Sequence, residues 1–273
     1  MRTILTSLVV ACFFIASPTQ SAATKLKPET LKAWETYVQL TEKQVDAELA
    51  GTSGFLRADF LNSAEASAIA ATIKKGQVHI QKMKTSGSDG GEIRVPDGMI
   101  HHWFGAVFVP NVTLATILSF VKNYDQHHRF FQEVEASKLV SHDGDTFKIF
   151  LRFVRKKIVT VHYNTDHTVV YRHHGIERES SRSFTTKIAE IQNAGSASEK
   201  EKPVGDDSGY LWRLNSYWRF KEQDGGVVIE CESISLSRSI PFGLGFLIKR
   251  FVESVPQESL ENTLGSIRSG VTK

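Results

Sequence analysis

The sequence is short of several features that announce a chemistry. It has two cysteines in 273 residues, and one of them, Cys12, lies in an N-terminal apolar run. A chain trimmed of that run keeps Cys231 alone, which excludes an intramolecular disulfide and a cysteine-ligated zinc. Cys231 stands between Glu230 and Glu232. Acidic neighbours raise a thiol pKa, so it reads as a small core residue rather than a nucleophile. No apolar stretch approaches the roughly 20 residues that cross a bilayer. Neither sign of charge dominates: 33 Lys+Arg face 30 Asp+Glu, a net charge of +3. No global field for nucleic acid follows from that balance. The chain has no Gly-x-Ser-x-Gly elbow and no His-Glu-x-x-His pair, and Gly243-Leu244-Gly245 lacks the third glycine of a dinucleotide loop. No cofactor and no metal is expected.

What is present is an ordinary core. Hydrophobic residues make up 41% of the chain, enough to fold without disulfide help. Arg2 followed by the apolar stretch Ile4 to Ala16, with Pro18 and then Ser21-Ala22-Ala23, reads as a cleaved secretory signal over 1–23. The expected location is therefore periplasmic or secreted. A lipoprotein signal is the competing reading of Cys12, but Phe13, Phe14 and Ile15 continue the apolar run past it.

Residues 28–50 carry Leu31, Trp34, Val38, Val45 and Leu49 near helical spacing, with Pro28 in the first turn. A second helix is expected from Ser63 to Lys75, then a short strand around Val78 and Ile80. The Thr85 to Gly91 stretch is the clearest linker. It divides a helical extension, 24–87, from a main domain, 88–273.

The main domain opens with a strand from Ile100 to Val109. A helix follows, with Asn111 as its expected N-cap, and Tyr124 to Glu133 reads as a short helix or turn. Strands are expected near 136–141, 146–154, 158–164, 168–177, 183–192, 210–222 and 226–237, with turns at Asp143-Gly144-Asp145, Asn164-Thr165-Asp166 and Asp224-Gly225-Gly226. Residues 194–208 read as a polar loop. A terminal helix runs from Leu244 to Ser269, kinked or broken at Pro256. A sheet of that size needs a cover, and the terminal helix is the element long enough. The expected fold is α+β: a helix-grip curved antiparallel sheet around a long C-terminal helix, preceded by a helical N-terminal extension.

Ile100 to Gly105, the helix after Pro110-Asn111, and Ile240 to Leu247 before the last helix resemble the START-like superfamily of lipid-transport proteins and polyketide cyclases (SRPBCC). More narrowly, Leu211 to Phe220 followed by Asp224-Gly225-Gly226 is similar to a group of exported bacterial START-like proteins of unassigned function. The resemblance covers about 95–270. It implies a hydrophobic ligand held under the C-terminal helix, with a minority of members cyclising or hydrolysing theirs.

Strand alternation separates two faces in the hairpin 210–237. Folded at Asp224-Gly225, it sets Arg219 opposite Glu230 and Tyr217 opposite Glu232. The other face carries Trp212, Leu214, Ser216 and Trp218 against Cys231, Ser233 and Ser235, large residues facing small ones, as a cavity wall requires. Trp103 from the opening strand and Phe246 from the covering helix complete the candidate ligand site. Arg152 lies between apolar neighbours and is a candidate partner for an anionic head group. The cluster Arg155-Lys156-Lys157 is either a solvated turn or a point of transient contact with an anionic membrane.

Three function classes remain. The first is a non-enzymatic carrier of a hydrophobic small molecule or lipid. The second is a cyclase- or aromatase-like enzyme using Arg152 and His162 as polarising acid and base. The third is an envelope interaction module with a filled core, for which the sequence identifies no protein partner.

Overall fold

The computed structural model describes residues 24–157, 159–239 and 245–272, with backbone alone for 24 and 245–253. The expected signal segment, 1–23, and the 240–244 part of the motif before the last helix lie outside the described residues. Among those described, no helix is long and apolar enough to cross a membrane.

Eight long strands form one antiparallel sheet: β1 (His79–Lys82), β2 (Gly98–Pro110), β3 (Val134–Asp143), β4 (Thr146–Lys156), β5 (Thr160–His173), β6 (Arg178–Gln192), β7 (Arg213–Gln223) and β8 (Gly226–Arg238). Their spatial order is β1-β2-β8-β7-β6-β5-β4-β3, and the short strand Lys200–Glu201 adds to β6. Four longer helices accompany the sheet: α1 (Pro28–Ala50), α2 (Ser63–Lys74), α3 (Leu114–Lys122) and α4 (Gly245–Val271). The sheet curves around α4, so the architecture is the helix grip.

Packing explains where α4 lies. In β2, a Cβ on Gly105 would stand 2.6 Å from Leu264 Cδ1 and 3.1 Å from Leu260 Cδ2. The missing side chain lets the helix approach bare backbone. Leu260, Leu264 and Ile267 are buried there with Val107, Val109 and Ile229. Helix α4 runs through Pro256 without a break.

Several local expectations are corrected. The N-cap of α3 is Thr113, whose Oγ1 accepts from the Thr116 amide at 3.2 Å. Asn111 instead takes the left-handed conformation, φ 59°, in the preceding turn, a backbone Asn tolerates better than most residues. Asn164-Thr165-Asp166 is not a turn but the middle of β5, with a register shift at Asp166/His167. Asn164 Nδ2 donates to Glu201, and Thr165 Oγ1 donates to the Leu151 carbonyl at 2.8 Å. Asn164 Nδ2 and the Thr165 hydroxyl thus find partners inside a sheet, whereas Asn164 Oδ1 is buried without one among the described residues.

The hairpin register matches the sequence pattern: Arg219 faces Glu230, Tyr217 faces Glu232 and Trp218 faces Cys231. The face holding Arg219 and Tyr217 is nevertheless buried. Helix α1 lies over it with Trp34, Tyr37 and Val45 against Tyr217, Ile234 and Leu236. Phe55, Leu56, Ile69 and Ile73 cover Phe104, Ala106 and Val228. The N-terminal segment therefore covers the convex face and supplies edge strand β1.

Candidate functional site

The concave face and α4 enclose a cavity of about 370 Å³. Ile149, Leu151 and Phe153 of β4 line one wall, Tyr163, Val169 and Tyr171 of β5 the next, and Leu260, Thr263 and Ile267 of α4 the cover. The central wall is the large-against-small pattern of β7 and β8. Leu214, Ser216, Trp218, Cys231, Ser233 and Ser235 all line the cavity. Ser183, Ser216 and Ser233 stand in register across β6, β7 and β8, a row of hydroxyls on one face. Trp218 donates from Nε1 to Ser216 Oγ at 2.9 Å and stacks on Phe220. Burial holds the Cys231 thiol well above its ordinary pKa, so it serves as wall rather than nucleophile.

The other expected site residues lie elsewhere. Trp212 precedes the regular part of β7 and turns to the convex side, where it is 2% exposed beside Trp34 and donates to Asp207 Oδ1 at 3.0 Å. Strand alternation does not extend to it because regular pairing of β7 with β8 starts at Arg213. Trp103 packs against the concave core without lining the cavity. Arg152 is on the outer face, in a two-pronged bond to Glu199 at 2.8 and 2.9 Å and a bond to Glu135 at 3.2 Å. His162 meets the same Glu135 at 2.8 Å. Strand alternation sets Arg152 on the face opposite Ile149, Leu151 and Phe153, away from the cavity, and the polar loop supplies Glu199 as its partner there. The side chain of Phe246 lies outside the described residues.

Beyond the wall serines, sequence reasoning missed the titratable groups of the cavity. His101, His127 and His167 line it, and burial pushes each imidazole down to about 4. All three rings are therefore neutral near pH 7. Tyr124 and Tyr171 bond through their hydroxyls at 2.9 Å, and Lys122 Nζ lies 4.1 Å from the Tyr171 ring centroid. Arg155 and Lys157 stand on the wall with their charges matched. Arg155 bonds to Glu133, to Glu258 at 2.9 Å and to Ser259 at 3.2 Å, and Lys157 meets Glu258 at 2.5 Å. Arg155 Nε and Tyr163 Oη are buried without a partner among the described residues. Among the described residues there is no cluster of His, Cys, Asp or Glu suited to a metal.

No family model matches the chain, and no curated protein does. Three solved structures similar in backbone course are a STAR-related lipid transfer protein from Xanthomonas axonopodis, human STARD10 and the Zhui aromatase/cyclase of a Streptomyces species. The first is 12% identical, with a TM-score of 0.47, covering 71% of this chain and 99% of that one. For STARD10 the values are 8%, 0.47, 82% and 84%. For the aromatase/cyclase they are 10%, 0.42, 64% and 94%. The likeness is one of backbone course.

Proposed function

We propose that this chain is an exported carrier that holds a hydrophobic small molecule or lipid, without covalent bonds, between the sheet and α4. One observation carries the reading: a largely apolar cavity of about 370 Å³, closed by a helix and floored by a row of serines opposite aromatic residues. That size lies within the usual range of ligand pockets, roughly 300–1,000 Å³. Arg152 and His162, the residues a cyclase reading would use, are engaged with carboxylates on the convex face. Export rests on the signal-like sequence of residues 1–23.

The full chain, expressed in a bacterium and purified without denaturant from the exported fraction, supplies both tests. Sequencing its N-terminus is expected to return a start near Thr24. Mass spectrometry of its organic extract is expected to show an apolar mass near one per chain. Trp218→Arg, which sets a cation into the cavity wall, is expected to lose most of it. An empty extract from folded protein that also takes up no long-chain lipid would sink the carrier reading.

A further inference from the structure

Three imidazoles on the cavity wall have their tautomers set by their surroundings. His127 Nε2 lies 3.0 Å from the Val121 carbonyl, which only accepts, so Nε2 carries the proton. His167 Nε2 lies 2.9 Å from Thr165 Oγ1, and that hydroxyl already spends its proton on the Leu151 carbonyl. His101 Nε2 lies 2.9 Å from Ser237 Oγ, which donates in turn to the Arg238 carbonyl. In the last two cases the hydroxyl must accept, so all three rings donate from Nε2 and their Nδ1 atoms hold a bare lone pair. None of the three Nδ1 atoms is among the buried side-chain atoms lacking a partner. The rings line the cavity, and Nδ1 is the ring atom left able to accept from a ligand.

The charges on the wall point the same way. Arg155 and Lys157 are matched by Glu133 and Glu258, so that part of the wall is neutral in sum. Glu133 is further occupied by Ser259 Oγ at 2.6 Å and Asn262 Nδ2 at 3.1 Å. An anionic head group would have to displace these carboxylates to reach the guanidinium and ammonium faces they hold. That leaves it Arg155 Nε, Tyr163 Oη and the wall serines as donors, and it would be repelled by the imidazole lone pairs. A hydroxyl meets no such cost, because it donates to a lone pair that is otherwise bare.

We infer that the cavity selects an uncharged lipid bearing a free hydroxyl, which donates to Nδ1 of a wall histidine among His101, His127 and His167. The inference rests on the carrier reading and narrows it from any hydrophobic molecule to an alcohol. Carboxylates and phosphates are disfavoured, and a neutral ester that can only accept gains nothing from the histidines.

Three probes of one chain length separate the possibilities: 1-hexadecanol, hexadecanoate and methyl hexadecanoate, each competed against a fluorescent lipid on the full chain at pH 7.5. Hexadecanol is expected to bind about tenfold more tightly than either of the others, the worth of one well-made hydrogen bond. In His101→Phe, His127→Phe and His167→Phe, taken singly, at least one variant is expected to lose that advantage while keeping its affinity for the methyl ester. Nitrogen NMR of the wild type supplies a readout independent of the variants' folding. Hexadecanol is expected to shift an Nδ1 resonance, and the ester to leave all three in place. Equal or tighter binding of hexadecanoate, as an anchor at the unpaired Arg155 Nε would produce, overturns the inference and leaves the carrier reading standing. Failure of all three probes to bind folded protein counts against the carrier reading itself.

Discussion

His167 lies edge-on to Phe153 with ring centroids 5.9 Å apart, and a proton added to it would be a charge shut away from solvent. That is why burial pushes the ring down to about 4 from about 6.5 in an unfolded chain. Above pH 6.5 the ring is neutral in both states, and its contribution to stability is fully present. Between 6.5 and 4 the unfolded chain takes up the proton and the folded one does not, so stability falls with pH, by up to about 3 kcal/mol for this ring. Glu230 works in the opposite sense. Burial pushes it up to about 7, so its protonation favours the folded state as pH falls from about 7 to 4.5. The histidine effect is therefore measured by difference. The urea-derived stability of wild type over His167→Gln is expected to shrink by up to about 3 kcal/mol between pH 7 and pH 4.5. Parallel curves for the two proteins would show that the folded ring takes up its proton as readily as the unfolded one, so that burial does not shift it. At this scale the sequence was partly legible. Alternation allows one histidine of an adjacent pair to face inward, and His101 faces the cavity while His102 bonds to Tyr37 and Glu232 on the convex side. Its tautomer was not legible, because it depends on Ser237, far away in the chain.

Helix α1 shows the same division at the scale of an element. Leu31, Trp34, Val38, Val45 and Leu49 are enough to identify an amphipathic helix, yet the buried stripe runs Thr30, Trp34, Tyr37, Thr41, Val45, Glu48. Half of that stripe is polar, and every polar member has a partner. Thr30 donates to the Pro96 carbonyl at 2.7 Å and Thr41 meets Thr85 at 2.7 Å. Glu48 binds Arg57 and, at 2.6 Å, Arg219. Arg219 thus finds its main partner on α1 rather than in Glu230 across the hairpin, and Glu230 accepts instead from the Arg57 and Ala58 amides. Removing one member of a buried ion pair strands the other. Glu48→Ala is expected to lower unfolding free energy by about 3–5 kcal/mol, measured by urea denaturation. Glu48→Ala combined with Arg219→Met is expected to recover part of it, because the more deeply buried of the two stranded charges is gone while Arg57 remains. A double variant no better than the single one would place the loss in packing.

At the scale of the molecule the sheet is covered on both faces, by α4 over the cavity and by residues 24–74 over the convex side. The convex cover is not optional. Without it Trp212, Phe104, Ile234 and Leu236, all at most 2% exposed, would meet water together with Arg219, Glu230 and Glu232. A patch of that kind drives aggregation. A chain beginning at Lys75 is expected to be recovered aggregated, or soluble only with strong binding of hydrophobic dye and no cooperative melt. A soluble fragment melting cooperatively near the temperature of the full chain would show that the sheet stands without its N-terminal cover.

Local chemistry is what the sequence determined by itself. Strand alternation, the Asp224-Gly225-Gly226 turn and the apolar faces of α1 and α4 depend on near neighbours, and so do the hairpin register and the wall of Leu214, Ser216, Trp218, Cys231, Ser233 and Ser235. The tertiary structure alone decided which partners the buried polar side chains meet, because those partners come from distant segments. Glu199 pairs with Arg152 on the outer face, Asp207 and Trp34 hold Trp212 on the convex side, and Ser237 and Thr165 orient two of the cavity histidines. A hydrophobic position is placed by its period along one element. A buried polar one is placed by whichever donor or acceptor the fold brings within hydrogen-bonding reach.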